Sequence, residues 1–251
     1  MKLAGHHVIV TGAGAGIGLG IARQCRAEGA EVTGFDIIGA TERLAEIGAG
    51  FALVDVADAG ALEAAIVAAY AKHGRLDGLV NNAGVTIQVP FLQMTRDQME
   101  TLWTVNHRAV LIGCQTAGRL MAKAGQGAIV NIASNHARAT NPGFEGYAGT
   151  KGAIVSMTRA MAWSLGPLGI RVNALSPGMT RTEIVEEAMQ DPAHAANFRS
   201  WTADSQLNTV EQVGDAAVFL LSDASAALNG SEIIADRGMS ALLGANETRR
   251  D

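Results

Sequence analysis

Cysteine, proline and aromatic residues are all scarce in this chain of 251 residues, and basic residues form no cluster. The two cysteines, Cys25 and Cys114, fall in predicted helices and match no metal-ligand spacing. The sequence therefore predicts neither a disulfide framework nor a metal site, and favours a reducing compartment. The net charge of −5 is mild and no basic patch stands out, so we expect no nucleic-acid partner.

Long apolar runs are missing as well. No run approaches the length of about 18 residues that a membrane span requires. Only six residues precede the first predicted strand, which is too few for a signal peptide. We therefore predict a cytoplasmic protein without a membrane partner.

Hydrophobic residues make up 48% of the chain, charged residues only 17%, and glycine is abundant with 30 residues. Short apolar runs alternate with helical patterns from end to end, which predicts βαβ units and a parallel sheet. The predicted strands are 7–11, 31–36, 50–54, 76–81, 128–133, 171–176 and 232–235. The predicted helices are 17–29, 59–73, 95–124, 147–166 and 209–222. Capping boxes at Thr95 and Thr209 mark two of the helix starts. No linker or repeat divides the chain, so we predict a single domain over residues 1–251 with a loose tail at 244–251.

Glycines follow the first predicted strand in the pattern Gly12-x-Gly14-x-Gly16-x-Gly18, and a helix follows them. Glycines allow a tight turn and close approach of a pyrophosphate, while the helix N-terminus offers N–H donors and a favourable dipole. The spacing differs from the common Gly-x-Gly-x-x-Gly, so its position between strand and helix carries the interpretation. We predict a dinucleotide phosphate site.

An acidic residue, Asp36, ends the second predicted strand. A carboxylate there can accept hydrogen bonds from both adenosine ribose hydroxyls and would repel a 2′-phosphate. No lysine or arginine lies between Asp36 and Arg43, so we expect NAD rather than NADP. Asp55, after the third strand, either contacts the adenine or caps a helix.

Tyr147 and Lys151 stand four residues apart in a predicted helix, so their side chains share one face. A nearby ammonium favours the phenolate form and lowers a tyrosine pKa that is ordinarily near 10. Such a phenol can take or give a proton near neutral pH. The pair predicts general acid–base chemistry.

With these motifs, the chain resembles the short-chain dehydrogenase/reductase family over essentially its whole length. The motifs that carry the resemblance are Thr11-Gly12-x-x-x-Gly16-x-Gly18, Asn81-Asn82-Ala83-Gly84, Asn106, Ser134, Tyr147-x-x-x-Lys151 and Pro177-Gly178. The resemblance implies one doubly wound Rossmann domain with a seven-stranded parallel sheet and helices on both faces. It also implies a homotetramer, or in some cases a dimer.

The resemblance implies a catalytic tetrad. Tyr147 would be the acid–base at the substrate oxygen, and Ser134 would donate a hydrogen bond to that oxygen. Lys151 would lower the tyrosine pKa and bind the nicotinamide ribose, and Asn106 would anchor a water. The residues implied for the cofactor are Gly12, Gly14, Gly16, Ile17, Gly18, Asp36, Asp55, Val56, Asn82, Ala83, Gly84, Tyr147, Lys151, Pro177, Gly178, Thr180 and Thr182.

The loop after Ser134 is unusually polar, which favours a sugar, polyol or small hydroxy acid over a steroid or acyl chain. The candidate substrate residues are Asn135, His136, Asn141 and Gly178. His136 could equally be an exposed loop residue, and Arg138 a solvated charge.

Residues 182–208 lie where the family places a substrate lid. Arg199 within it meets an anionic substrate or is a surface charge, and Trp201 covers the site or a subunit contact. Arg237 stands where many family members have glycine and is predicted near a subunit contact.

Three functions remain open. The leading one is an NAD-dependent dehydrogenase or carbonyl reductase for a polar small molecule. The others are a 3-oxoacyl (acyl-carrier-protein) reductase and a non-catalytic dinucleotide-binding sensor or scaffold. Two long helices carry apolar faces, with Leu111 and Met121 on one and Ile154 and Met161 on the other. These faces pack against the sheet or against sister subunits, and the family resemblance favours a subunit interface.

Overall fold

A computed structural model of the chain describes residues 1–242, so the predicted loose tail at 244–251 lies outside the described residues. Seven parallel strands form one sheet in the order β3-β2-β1-β4-β5-β6-β9. These strands are β1 (His7–Thr11), β2 (Glu31–Asp36), β3 (Gly50–Leu53), β4 (Gly78–Asn81), β5 (Gly127–Ile132), β6 (Ile170–Pro177) and β9 (Glu232–Ala235). The predicted seven-stranded parallel sheet is confirmed, and each predicted strand is present to within two residues at either end.

Helices cover both faces of this sheet because its strands bury alternate side chains on opposite sides. Val8 and Val10 of β1 pack into one core layer, whereas Ile9 packs into the other. The helices are α1 (Gly16–Ala27), α2 (Thr41–Glu46), α3 (Ala59–His73), α4 (Arg96–Leu102), α5 (Ala109–Ala124), α6 (Glu145–Leu165), α7 (Glu183–Ala188), α8 (Pro192–Ser200) and α9 (Val210–Leu221).

Both predicted capping boxes are present. The Thr95 side chain accepts from Gln98 N, and the Thr209 side chain accepts from Gln212 N. The predicted helical stretch 95–124 is confirmed, and within it a π-helical segment, Trp103–Arg108, joins α4 to α5.

The apolar side chains expected at a subunit interface divide between two environments. Met121 and Ile154 are fully buried in the chain's own core, so they cannot meet a neighbour. Leu111 is 39% exposed, and Trp163 of α6 is 86% exposed. Cys25 and Cys114 are free and buried, as predicted, and burial raises the pKa of each thiol to about 12.

Residues 182–208, called the helical arm below, contain α7 and α8. The arm leaves the body at β7 (Thr180–Arg181) and returns at β8 (Asn208–Thr209), and these two short strands pair in parallel. Within residues 1–242, no helix combines the length and the hydropathy needed to cross a membrane.

Candidate functional site

The glycine loop turns from β1 into α1 at the carboxyl edge of the sheet. Gly12 and Gly16 have φ values of 65° and 52°, which side chains rarely tolerate. A Cβ on Gly12 would lie 2.9 Å from Ala83 Cα, and one on Gly18 would lie 1.9 Å from the Gly12 oxygen. The loop therefore packs directly against the end of β4, and larger residues would displace it.

Asp36 lies beside this loop. Its Oδ2 accepts from Gly14 N at 2.8 Å, and its Oδ1 accepts from Ile38 N at 3.2 Å. Arg43 also reaches the loop, since its guanidinium donates to the Gly14 oxygen at 3.2 Å. A cation and Asp36 therefore bind the same glycine, although Arg43 lies seven residues further along the sequence.

The end of β4 is tied to the loop through Thr11. The Thr11 hydroxyl accepts from the backbone N–H groups of Asn82 and Ala83, both at 3.0 Å. The Asn82 side chain donates to the oxygens of Thr11 and Gly12. The predicted Asn82-Ala83-Gly84 segment and the glycine loop therefore form one surface.

Gly84 lies where the loop after β4 meets two of the predicted catalytic residues. A Cβ on Gly84 would lie 3.1 Å from Asn106 Oδ1 and 3.6 Å from Lys151 Nζ. Asn106 is fully buried in the π-helical segment, where its side chain accepts from Val85 N and donates to the Val85 oxygen. Its amide therefore fixes the chain just after Gly84, and the predicted anchoring of a water stays a prediction.

Ser134 and Tyr147 are brought together at the end of β5. The Tyr147 hydroxyl is hydrogen-bonded to the side chains of Ser134 and Thr86. Burial raises the pKa of Tyr147, and these two hydrogen bonds oppose the rise without cancelling it. The expected lowering of the tyrosine pKa is therefore wrong, because burial of the phenol outweighs the groups that favour the phenolate.

Lys151 lies in the same cluster but is more deeply buried, with 4% of its surface exposed. Its ammonium is 5.7 Å from the centre of the Tyr147 ring and donates to the Ile132 oxygen at 2.8 Å. Burial lowers the pKa of Lys151 to about 8. Both protonation states are therefore accessible near neutral pH.

The loop after Ser134 reaches Tyr147 through aromatic contacts. The His136 ring lies 5.6 Å from the Tyr147 ring, and Phe144 lies 6.4 Å from it. His136 Nδ1 is 2.8 Å from the Thr140 hydroxyl, and burial lowers the pKa of its imidazole. His136 is therefore partly buried beside Tyr147 and is neither fully exposed nor enclosed in the core.

Other polar residues of this loop have partners within the chain. Asn135 is buried, and its amide donates to Met239 Sδ at 3.2 Å. Arg138 pairs at 2.8 Å with Glu232, whose side chain is only 3% exposed, so Arg138 is held by a buried carboxylate and is not a freely solvated charge. Asn141 is exposed, and its oxygen accepts from Phe144 N.

The chain after β6 closes the other side of the glycine loop. Pro177 is buried, and Gly178 N donates to the Ala235 oxygen at 2.9 Å. The Thr180 hydroxyl donates to the Gly178 oxygen, and a Cβ on Gly16 would lie 3.1 Å from Thr182 Cγ2. Thr182 therefore stands against the glycine loop.

Asp55 is exposed at the end of β3, and its Oδ1 accepts from Ala57 N. The helix-capping alternative for Asp55 is wrong, because Asp58 caps α3 by accepting from Ala61 N at 3.0 Å. Val56 is buried in the core. Ile17 is partly buried and packs on the core layer under α1.

Three residues at this site are not among those predicted from the sequence. Thr86 contacts the Tyr147 hydroxyl, and Phe144 lies beside the Tyr147 ring. Glu183 places Oε2 3.2 Å from Gly16 N, at the first turn of α1, and Oε1 3.9 Å from Arg43. Thr86 could have been found by its place two residues after Gly84, whereas the contact of Glu183 with Gly16 spans 167 residues.

The residues present fit a nicotinamide dinucleotide. The glycine loop has no room for side chains, since a Cβ on Gly12, Gly14 or Gly18 would lie 2.9, 2.9 and 1.9 Å from the nearest atom of another residue. Only glycine therefore keeps the tight turn that dinucleotide sites use. An acidic residue stands at the end of β2, where an adenosine ribose is bound in dinucleotide folds. The β1–β4 junction, where the strand order reverses, is where such sheets bind ligands.

A family model described as enoyl-(acyl carrier protein) reductase matches residues 12–240. D-threitol dehydrogenase of Mycolicibacterium smegmatis is 34% identical over 245 residues, which cover 94% of each chain. Carbonyl reductase (NADPH) 2 of Sus scrofa is 35% identical over 244 residues, covering 95% of this chain and 98% of that protein.

A solved structure gives the same result for the fold. A short-chain type dehydrogenase/reductase from Mycobacterium ulcerans has a TM-score of 0.92 and 29% sequence identity to this chain. The match covers 97% of this chain and 93% of that one. Sequence and fold therefore agree over nearly the full length of the protein.

Proposed function

The chain belongs to the short-chain dehydrogenase/reductase family, and from that premise we propose an NAD-dependent oxidoreductase that acts on a secondary alcohol or ketone of a polar small molecule. The observation that carries the proposal is the cluster of Ser134, Tyr147 and Lys151 around the end of β5, next to the glycine loop. We further propose that residues 1–251 act as one dinucleotide-binding domain, with the helical arm as its substrate lid.

In this proposal Tyr147 and Ser134 act on the same substrate oxygen. In alcohol oxidation the Tyr147 oxygen takes the hydroxyl proton, and in ketone reduction it returns one. The Ser134 hydroxyl donates to that oxygen, which stabilises the charge that develops there. When bound, the nicotinamide would supply the hydride acceptor or donor.

Lys151 and Asn106 support this chemistry from behind the tyrosine. A lysine with a pKa of about 8 exchanges protons readily near neutral pH, so Lys151 can pass the proton that Tyr147 gains or loses. Asn106 holds Val85, and through it Gly84, close to the Lys151 ammonium. The four side chains therefore act as one acid–base unit.

We propose NAD as the cofactor because Asp36 would repel a 2′-phosphate. Arg43, which lies beside Gly14, weakens this preference because it could attract the same phosphate. The name of one relative, carbonyl reductase (NADPH) 2, specifies NADPH, so activity should be measured with both cofactors. The ratio of kcat/KM for NAD to that for NADP measures the preference directly.

A polyol or sugar is the substrate class that the site supports best. Asn135, His136 and Thr140 supply hydrogen-bonding groups in the loop beside Tyr147, and burial lowers the pKa of His136. One relative is a D-threitol dehydrogenase, a polyol enzyme by its name.

We propose a homotetramer, or failing that a dimer, as the working assembly. Trp163 and Leu111 leave apolar surface exposed on α6 and α5. Light scattering of the purified protein tests this, and a monomer at micromolar concentration would contradict it.

The deciding experiment follows the absorbance of reduced nicotinamide with NAD and NADP in parallel. The substrates are D-threitol and other polyols, sugars, hydroxy acids, and 3-oxoacyl and enoyl thioesters. We expect the highest kcat/KM with NAD and a neutral polyol or sugar. Turnover of thioesters alone would favour an acyl-carrier-protein reductase, and cofactor binding without any turnover would favour a dinucleotide-binding sensor.

A further inference from the structure

Both ends of the helical arm are hydrogen-bonded to Ala235, the last residue of β9. The Ala235 oxygen accepts from Gly178 N at 2.9 Å, just before the arm begins, and from Asn208 Nδ2 at 2.5 Å, where the arm ends. A Cβ on Gly178 would lie 2.6 Å from Asp236 Cβ. The chain at 235–238 is therefore the base on which the arm is mounted.

Arg237, within this base, is bonded to the C-terminal end of the arm. Its guanidinium forms an ion pair with Asp204, and its backbone oxygen accepts from Ala203 N at 2.8 Å. The Arg237 side chain is 23% exposed and the Asp204 side chain is 50% exposed, so the guanidinium is partly sheltered while the carboxylate stays in contact with solvent. Arg237 thus binds two consecutive residues near the end of the arm, Ala203 through its backbone oxygen and Asp204 through its side chain.

The backbone in this region is held in an unfavourable conformation. Among residues 1–242, the non-glycine residues with positive φ are Ser205, at 56°, and Arg237, at 52°. Arg237 is one member of the ion pair, and Ser205 directly follows the other member, Asp204. Such outliers persist where surrounding contacts over-determine the backbone, and they concentrate at clamps and moving parts.

The same guanidinium links the arm to the glycine loop. Arg237 donates to Gln212 Oε1 at 2.8 Å, and this oxygen also accepts from Thr209 N to cap α9. The α9 helix packs closely on α1, since a Cβ on Gly20 would lie 2.6 Å from the Val210 oxygen. The α1 helix begins at the glycine loop.

We propose that Arg237 is a positioning residue that clamps the C-terminal hinge of the helical arm. By joining Asp204 to Gln212, it fixes the arm relative to α9 and limits how far the arm opens. The proposal rests on the proposed function in one respect, namely that the arm covers the substrate. Glycine would adopt the positive φ of Arg237 more easily, but glycine lacks the guanidinium that the clamp requires.

The test compares Arg237→Gly, Asp204→Ala, the double variant and Arg237→Lys. Glycine removes the clamp and also relieves the backbone, whereas Asp204→Ala removes the clamp alone. Arg23→Ala is the matched control, because Arg23 forms an exposed ion pair with Glu211, next to Gln212 on the same helix. The readouts are KM and kcat for the alcohol, and amide hydrogen exchange of residues 183–203 without substrate.

We expect Arg237→Gly and Asp204→Ala each to raise KM about three- to fivefold, the effect of losing one solvent-screened ion pair, with a smaller change in kcat. Exchange in the arm should accelerate in both, and the double variant should be no worse than either. Arg237→Lys should restore part of the wild-type KM, and Arg23→Ala should match wild type.

Unchanged KM and unchanged arm exchange in Arg237→Gly would overturn the proposal. An effect of Arg237→Gly that Asp204→Ala does not share would also overturn it, because backbone relief would then be the cause. Hydrogen exchange needs no substrate. If the wild-type enzyme oxidised no alcohol at all, the proposed function would fail while the clamp could still be tested.

Discussion

Both edges of the parallel sheet carry buried polar side chains, but the hydrogen-bond partners of these side chains differ between the two edges. At the amino edge, His7 Nδ1 lies 2.8 Å from the Arg75 oxygen, and its Nε2 lies 2.9 Å from the Thr33 hydroxyl. Asp77 accepts from His7 N and, through both of its oxygens, from Arg75. Burial raises the pKa of Asp77, but these hydrogen bonds outweigh it and hold the pKa below its usual value.

At the carboxyl edge, the buried polar groups have fewer permanent hydrogen-bond partners within the chain. Burial raises the pKa of Tyr147 and lowers that of Lys151 to about 8, so both side chains are held away from their charged forms. The Gly16 N–H donates to the carboxylate of Glu183, whose exposed side chain can be displaced by another acceptor. The partners here are either too few or replaceable.

This difference separates a structural cluster from a site. A histidine, an aspartate and an arginine in close contact resemble catalytic machinery, yet at the amino edge the protein itself completes their hydrogen bonds. The carboxyl edge holds titratable groups whose pKa values are displaced by burial and whose partners are incomplete, which is typical of functional sites. Substitutions at the two edges should therefore affect different properties.

The largest contrast is expected for Tyr147→Phe, which should lower kcat/KM by about 10³-fold because the proton transfer loses its acid–base group. Its thermal midpoint should change little, since Tyr147 is only partly buried. Steady-state kinetics and thermal unfolding measure the two quantities.

Tyr70→Phe is the matched control, since Tyr70 is the other tyrosine and lies on α3 under Lys123. It should retain wild-type kinetics. Activity in Tyr147→Phe within tenfold of wild type would remove Tyr147 from the acid–base role.

A second contrast concerns Lys151, where activity and stability should oppose each other. Lowering a pKa from 10.5 to about 8 corresponds to about 3 kcal/mol of destabilisation at neutral pH. Lys151→Met removes this cost but loses the hydrogen bond to Ile132, worth about 1 kcal/mol. We expect a net gain of about 2 kcal/mol in the free energy of unfolding at neutral pH, with activity lost.

The stability difference between Lys151→Met and wild type should depend on pH. Between pH 8 and 10.5 the folded lysine has released its proton while the unfolded one still holds it, so wild-type stability rises with pH and the advantage of Lys151→Met should shrink. Urea unfolding at several pH values measures this. Lys123→Met, at an exposed position, should show no such trend, and an advantage of Lys151→Met that is independent of pH would contradict the burial argument.

The amino edge should respond to acid instead. Burial lowers the pKa of His7, although the Arg75 carbonyl partly offsets this, and the ring stacks on His73 at 4.0 Å. Asp77 and Glu31 act in the opposite direction to His73. The folded state therefore resists protonation, and stability present above pH 6.5 should be lost progressively as the pH falls below that value.

His7→Gln should reduce this acid-dependent loss while leaving kcat/KM at neutral pH unchanged. Urea unfolding between neutral and mildly acid pH makes the comparison. The same acid dependence in His7→Gln and wild type would assign the loss to other groups, such as His107, whose pKa is also lowered by burial.

The carboxyl edge was largely predictable because its signals are local. The strands at 7–11, 31–36 and 232–235 match the structure at both ends, since each is a short apolar run bounded by residues that favour turns. The α3 helix was also predicted at both ends. Short elements such as α2, α7 and α8 were missed because six to nine residues carry too little periodicity to distinguish a helix from a loop.

The rest depends on contacts between distant residues. The spacing of Tyr147 and Lys151 gives a shared helix face but not the burial that sets their pKa values. The π-helical segment at Trp103–Arg108 changes the helix period without changing residue preference, so the sequence pattern around Asn106 does not reveal it. The bonds of Arg237 to Asp204 and Gln212 span 33 and 25 residues, and the glycine usual at that position gives no hint of them.

The smallest expected effect tests whether partners at the carboxyl edge are replaceable. The Glu183 carboxylate lies at Gly16 N, where the dipole of α1 favours an anion, so it competes with the negative charge of the proposed dinucleotide. Because Glu183 is largely exposed, solvent screens the competition. We expect Glu183→Gln to tighten NAD binding by about two- to fivefold, as calorimetry without substrate would show.

Glu186→Gln makes the same charge change one turn further along α7, where the carboxylate pairs with Arg181 rather than with the glycine loop. It should leave NAD affinity near wild type. Equal tightening in both variants would indicate a general charge effect and contradict a specific role for Glu183. Raising the salt concentration should narrow the gap between Glu183→Gln and wild type, because an exposed carboxylate repels the cofactor less when it is screened. At the amino edge, where partners are permanent, no single carboxylate substitution should strengthen ligand binding in this way.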